Sequence, residues 1–141
     1  MKVFLDTNIM IDLLAERKMW LLPAMEILEL TNSNKIDLFC SIISLPTVSY
    51  IMERQAKIPH DIVISKMERL VNICEPIYAD KQIALRALNS SFKDFEDAMQ
   101  YYSAIAEGCD VIITRNKKDF SDAHIDVMDP QEFLDKFYGE N

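Results

Sequence analysis

The sequence predicts an α/β fold, a mostly parallel sheet covered by helices on both faces, in one domain spanning residues 1–141. Three observations predict it. Short apolar runs alternate along the chain with segments whose apolar residues recur at helical spacing. Two of the runs, Val3-Phe4-Leu5 and Val111-Ile112-Ile113, are apolar without interruption, as strands buried on both faces must be. The 141 residues suit one domain of about 150, and half are apolar, enough for one sizeable core.

Each element has its own signal. Val3-Phe4-Leu5 reads as a strand ending at Asp6, followed by a helix over Ile9–Leu14 and a second from Trp20 to about Leu30. Asp37–Ser41 is the next strand. Ser44-Leu45-Pro46 opens a helix running to Lys57, with the serine as N-cap and the proline in the first turn. A helix over His60–Val71 precedes a short strand at Ile73-Cys74, stopped by Pro76. Asp80 caps a helix reaching Leu88. From Asp94 to Glu107, Phe95, Ala98, Met99, Tyr102, Ile105 and Ala106 follow the helical period, and Gly108 ends it. Asp110–Thr114 is the clearest buried strand and Ile125–Met128 the last. Asp129-Pro130 then opens a C-terminal helix that closes at Gly139.

Composition narrows the function. Two isolated glycines exclude a Gly-rich phosphate loop. With 15 basic against 23 acidic residues the net charge is −8, the wrong sign for a broad nucleic-acid-binding surface. An acidic chain can still cut nucleic acid where divalent cations neutralise its carboxylates and a local basic rim holds the phosphates, and it can dock a basic partner protein. Cys40, Cys74 and Cys109 are odd in number, lack a C-x-x-C spacing and sit beside apolar residues, the pattern of buried reduced thiols. His60 and His124 have no metal-ligand spacing. No signal peptide and no membrane-length apolar stretch is visible, so the expectation is a soluble, cytoplasmic protein.

In parallel sheets ligands bind beyond the carboxyl ends of the strands, near the switch in strand order. Asp6-Thr7-Asn8 ends the first strand, and Thr114-Arg115-Asn116, with Asp119 soon after, ends the Val111 strand. Ser44-Leu45-Pro46-Thr47 and Asp94-Phe95-Glu96-Asp97-Ala98 are the other two polar stretches of note. Taken singly each has a plain explanation. Asp6 and Asp94 precede helices and suit capping, Asn116 and Asp119 suit turns, and the lysines suit a solvated loop. Together they point to chemistry. Asp94 and Asp97, three apart, share a helix side bordering the apolar stripe. Carboxylates meeting in a cleft repel unless a hard cation such as Mg²⁺ or Mn²⁺ lies between them, and such a cation retains waters that can act as nucleophile. Separated acids joined by folding suit a metal-assisted phosphodiester hydrolase. Arg115, Lys117 and Lys118 form the best local basic rim for phosphate, and Tyr101 flanks the acidic side.

These stretches, in this order, resemble the PIN-domain family, which includes the ribonuclease toxins of VapC-type toxin–antitoxin pairs. The matching segments are Leu5-Asp6-Thr7-Asn8, Asp97-Ala98, and Ile113-Thr114-Arg115-Asn116 with Asp119-Phe120, so the likeness runs from residue 2 to about 130. The resemblance implies a three-layer α/β/α sandwich and a Mg²⁺ or Mn²⁺ site that cuts RNA. In it Asp6, Asp97 and Asp119 are catalytic and bind metal, Asn8 and Asn116 orient ligands or waters, and Asp94, Thr114 and Thr47 support the pocket. It also implies a homodimer and an antitoxin partner. One position departs from the pattern: the family often has glutamate at the start of the helix after the second strand, where this chain has Thr47. Glu53 cannot stand in, since six residues on a helix mean about 9 Å along the axis and about 120° around it. Asp94 or Glu96 could supply the charge. Two rivals follow. A PIN fold could act as a protein- or RNA-binding module without activity. A haloacid-dehalogenase-type phosphotransferase also starts from a strand-end aspartate, but needs a second one where this chain has Asn8.

Overall fold

Strand β1 (Lys2–Leu5) buries three of its four residues because both of its faces are covered. Val3 and Leu5 point to one side with Leu38, Cys40, Val111 and Ile113 of the neighbouring strands, while Phe4, Phe39 and Ile112 point to the other. The computed structural model describes residues 1–139, leaving Glu140 and Asn141 at the end of the expected domain outside the described residues. With β2 (Asp37–Ser41), β3 (Cys74–Ile77), β4 (Val111–Ile113) and β5 (Asp126–Met128), β1 forms a sheet parallel throughout, in the order β3-β2-β1-β4-β5.

The helices are α1 (Thr7–Leu14), α2 (Leu21–Asn32), α3 (Ser44–Arg54), α4 (His60–Val71), α5 (Lys81–Leu88), α6 (Phe95–Glu107) and α7 (Pro130–Tyr138). Residues of α1 to α4 and α7 pack on the Val3 face, and α6 packs on the Phe4 face with α5 against it. The result is a three-layer α/β/α sandwich. The chain lays β2 and β3 on one side of β1, then returns to place β4 on the other. The switch point therefore lies at the carboxyl ends of β1 and β4.

Four local expectations change. β3 continues through Pro76 to Ile77, because it is an edge strand, where alternate N–H groups have no ladder partner to lose. Helix α3 stops at Arg54 rather than Lys57, whose φ of 56° is left-handed. Ser44 is not a cap: it is the first helical residue, and its hydroxyl lies 2.8 Å from that of Thr7. Tyr101 belongs to the core rather than the acidic side, buried and stacked on Phe92 at 5.0 Å, with its hydroxyl accepting from the His124 N–H. Other signals hold. Asp80 accepts from the Ile83 N–H, Asp129 and Glu132 form a reciprocal capping box, and Gly108 ends α6 at φ 75°. The three cysteines are buried and unpaired. The Cys74 thiol is held well above its ordinary value by its hydrogen bond to Cys40 and by burial, which keeps it unreactive. Among the described residues no helix is long and apolar enough to cross a membrane.

Candidate active site

The backbone N–H of Asp6 donates to the Ile113 carbonyl at 3.0 Å, extending the β1–β4 pairing one residue past the strand. Asp6 precedes α1, yet its side chain caps nothing. Its Oδ2 instead accepts from the Thr114 hydroxyl at 2.7 Å. Thr114 is fully buried, its N–H donates to Met128, and its Oγ1 accepts from the Asn116 N–H at 3.0 Å. Asn116 in turn accepts from the Asp119 N–H at 3.0 Å, at the head of a 3₁₀ turn (Lys117–Phe120) that buried Phe120 anchors. Capping thus fails to explain Asp6, and the Asn116 backbone serves to deliver Asp119.

Asp94 caps α6, accepting from the Asp97 N–H at 3.0 Å, so its plain explanation stands. The next turns of α6 carry Glu96, Asp97 and Gln100. Gln100 is 1% exposed, and its Oε1 accepts from the Thr7 N–H at 3.1 Å. The Thr7 hydroxyl lies 2.8 Å from Ser44 Oγ, 3.2 Å from Glu96 Oε1 and 3.2 Å from Gln100 Oε1. With one proton, it accepts from Ser44 and donates to Glu96 or Gln100. This hub ties α1, α3 and α6 together beneath the carboxylates. Sequence reasoning gave Thr7, Ser44 and Gln100 no such role. The available signal was Gln100, a polar residue three after Asp97 and one turn after Glu96 on the same helix side.

The outcome is a pocket of about 300 Å³ at the switch point, lined by Asp6, Asn8, Thr47, Asp94, Glu96, Asp97 and Asp119, among others. Acids distant in sequence thus come together, and their electrostatics record it. Burial raises the carboxyl of Asp6 above its ordinary value against the Thr114 hydrogen bond, with Asp119 adding to the rise. Asp97 is pushed up to about 7 by burial, then by Asp94, Asp6, Asp119 and Glu96. Burial raises Glu96 too. Among the described residues no three His, Cys, Asp or Glu side chains already converge as a metal-binding group. The set nevertheless fits a hard divalent cation in kind, since every polar donor is oxygen or amide and the mutual repulsion calls for positive charge.

A pH dependence follows. An acid whose pKa is raised by folding stabilises the fold fully below its unfolded value of 3.8, and that contribution is lost as pH rises through about 7. In chelator, Asp97→Asn should therefore lose less melting temperature between pH 5 and 8 than the parent chain. Equal slopes in a calorimeter would show that Asp97 feels no such crowding.

Residues 2–118 match the PIN domain family. The chain belongs to the PIN-domain family. It is 33% identical over 141 residues to Ribonuclease VapC1 of Aquifex aeolicus (strain VF5), covering 96% of this chain and 95% of that one. Two solved structures share the fold. The crystal structure of VapBC2 from Rickettsia felis, bound to a DNA fragment from their promoter, gives a TM-score of 0.70 at 18% identity, over 92% of this chain and 98% of that one. The structure of VapBC-1 from nontypeable Haemophilus influenzae gives 0.63 at 22%, over 93% and 99%.

Of the expected basic rim of this PIN domain, Arg115, Lys117 and Lys118, the first two make ion pairs within the protein. The Arg115 guanidinium turns away from the pocket to pair with Asp12, its Nε 2.6 Å from Oδ2. Lys117 reaches Glu132 at 2.5 Å, on the start of α7. Lys118 remains, and Lys93 joins it. Both line a neighbouring cavity of about 330 Å³ that shares Asp94, Asp97 and Asp119 with the acidic pocket. No ion pair involving Lys93 or Lys118 is found among the described residues. Lys93 escaped notice in the sequence because nothing in the chain order places it beside Asp119. Glu53 pairs with exposed His60, outside the pocket, whereas Thr47 lines it.

Proposed function

We propose that this PIN domain is a Mg²⁺- or Mn²⁺-dependent endoribonuclease that hydrolyses RNA phosphodiester bonds as the toxin of a toxin–antitoxin pair. One observation carries the reading: five carboxylates line a single pocket at the switch point of a PIN domain one-third identical to a VapC ribonuclease over nearly its whole length. Asp6, Asp97 and Asp119 hold the cation, directly or through water. The Thr114 hydroxyl fixes which oxygen of Asp6 faces the pocket. Asn8 and Asn116 orient ligands or waters, and Asp94 adds charge while capping α6. A divalent cation there supplies a bound water of lowered pKa and neutralises charge on the scissile phosphate. Lys93 and Lys118 hold flanking phosphates of the RNA, joined by Lys117, whose exposed pair with Glu132 a phosphate can displace, while Arg115 is engaged with buried Asp12.

The solved relatives are VapBC complexes, and the net charge of −8 with an acidic cleft suits a partner carrying a basic segment. The working state is a cytoplasmic homodimer held by such an antitoxin. A monomer on a sizing column would refute the dimer, and partner binding that salt leaves unchanged would refute the electrostatic attachment.

The deciding experiment is cleavage of a mixed RNA pool by the purified chain with Mg²⁺, with Mn²⁺ and with chelator, beside Thr47→Glu. Thr47 lines the pocket with a neutral hydroxyl, so glutamate there adds a charged oxygen ligand and should tighten Mn²⁺ binding by about tenfold and speed cleavage. Loss of a robust parent activity in Thr47→Glu would show a site built around threonine. No cleavage by either form would favour the second reading, a PIN fold that binds RNA or protein without cutting, which the neutral Thr47 itself suggests.

A further inference from the structure

The structure assigns a positioning role to Arg115: clamped between Asp12 and Trp20, it holds the Thr114–Asp119 segment in register with Asp6. This inference rests on the reading of the acidic pocket as a cation site. Asp12 lies on α1, its side chain wholly buried, and Arg115 grips it with Nε at 2.6 Å from Oδ2 and an Nη at 3.1 Å from Oδ1. Arg17 adds a longer contact at 3.4 Å. The guanidinium carbon stands 3.9 Å from the centre of the Trp20 ring. A planar fork fits both demands at once, accepting a carboxylate edge-on while stacking its face on an aromatic ring.

The position in the chain gives the clamp its consequence. Arg115 sits between Thr114, whose hydroxyl fixes Asp6, and Asn116, whose carbonyl holds the Asp119 N–H. Adjacent residues of one turn are thereby tied to two aspartates six apart, Thr114 to Asp6 just ahead of α1 and Arg115 to Asp12 within it. Thr114 is held at the near end of the turn and buried Phe120 at the far end. The Arg115 tie to α1 restrains the backbone between them, and with it the place of Asp119. Arg115 touches neither the acidic pocket nor its neighbour, so it acts through the turn. The clamp opens instead on a cavity of about 460 Å³ that Trp20 and Arg115 line with Pro23 and Asp129.

Two variants test it. Arg115→Lys keeps the charge against Asp12 but lacks the fork, and Asp12→Leu/Arg115→Met removes both charges so that neither is left buried alone. Emission of Trp20, the only tryptophan in the chain, reports whether the cation has left its ring. In chelator, hydrogen exchange of the Asn116 and Asp119 amides should speed up by about tenfold or more in both variants, while amides of β1 and α6 keep their protection. Titrated with Mn²⁺, both variants should bind about ten- to a hundredfold more weakly than the parent chain, the usual cost of loosening a ligand's support. Unchanged exchange at residues 116 and 119 in the folded double variant would overturn the proposal, as would equal Mn²⁺ affinity. Faster exchange in the variants of a parent chain that binds no Mn²⁺ would uphold the positioning and overturn the cation reading.

Discussion

Asp6→Asn is expected to lower metal-dependent RNA cleavage by more than about a hundredfold while the fold survives. Loss of a group that merely supports a metal ligand costs about 10- to 100-fold, and Asp6 is proposed as a ligand itself. The fold survives because asparagine keeps an oxygen for the Thr114 hydroxyl, and because burial already raises the Asp6 carboxyl, so that losing its charge relieves a cost. Single-turnover cleavage with Mn²⁺, beside a melting curve, makes the check. Activity within tenfold of the parent would remove Asp6 from the cation site. A melting temperature several degrees lower would show that the asparagine lost its bond to Thr114.

The largest loss of stability should come from Asp12→Ala. The Asp12 side chain is 0% exposed and the Arg115 side chain 19%, so the truncation strands a mostly buried guanidinium. Breaking a buried pair on one side costs about 3–5 kcal/mol, which for this chain length lowers the melting temperature by about 10–17 °C. Asp12→Leu/Arg115→Met should regain most of it. Lys117→Ala removes an ion pair whose partners are each 46% exposed, and should cost under about 1 kcal/mol. Urea unfolding separates the two cases. Similar midpoints for Asp12→Ala and Lys117→Ala would mean that water reaches Arg115 and solvates it.

Reading along the chain located nearly every element, because a parallel sheet buried on both faces demands uninterrupted apolar runs and its covering helices demand 3.6-residue periodicity. The misplaced boundaries share a cause. Pro76 stops a strand only where its N–H is needed, and strand order, unknown from sequence, made β3 an edge. Ser44 has the local chemistry of a cap, but Thr7, 37 residues earlier, claims its hydroxyl. Among the candidate site residues, Asp6 and Asp119 stood out because each follows a strand that ends at the switch point, and Asp97 because it shares a helix side with Asp94. Lys93, Gln100 and Asp12 did not, since the residue that gives each its place, Asp119, Thr7 and Arg115 in turn, is distant in sequence.

The sequence by itself determined the layered α/β architecture and the family, and named the acids that now share a pocket. Those are properties of local pattern: periodicity, strand-end aspartates and motif order. Only the tertiary structure decided which polar groups are spent within the protein and which are left facing the pocket. Arg115, Lys117 and Lys118 stand within four residues and look alike in the chain, yet Asp12 takes the first and Glu132 the second. Lys118 alone of the three lines the cavity beside Asp119. The reason is electrostatic. A buried carboxylate needs a partner, a hydroxyl for Asp6 and a cation for Asp12, and which one it takes depends on distances across the fold that no local pattern encodes.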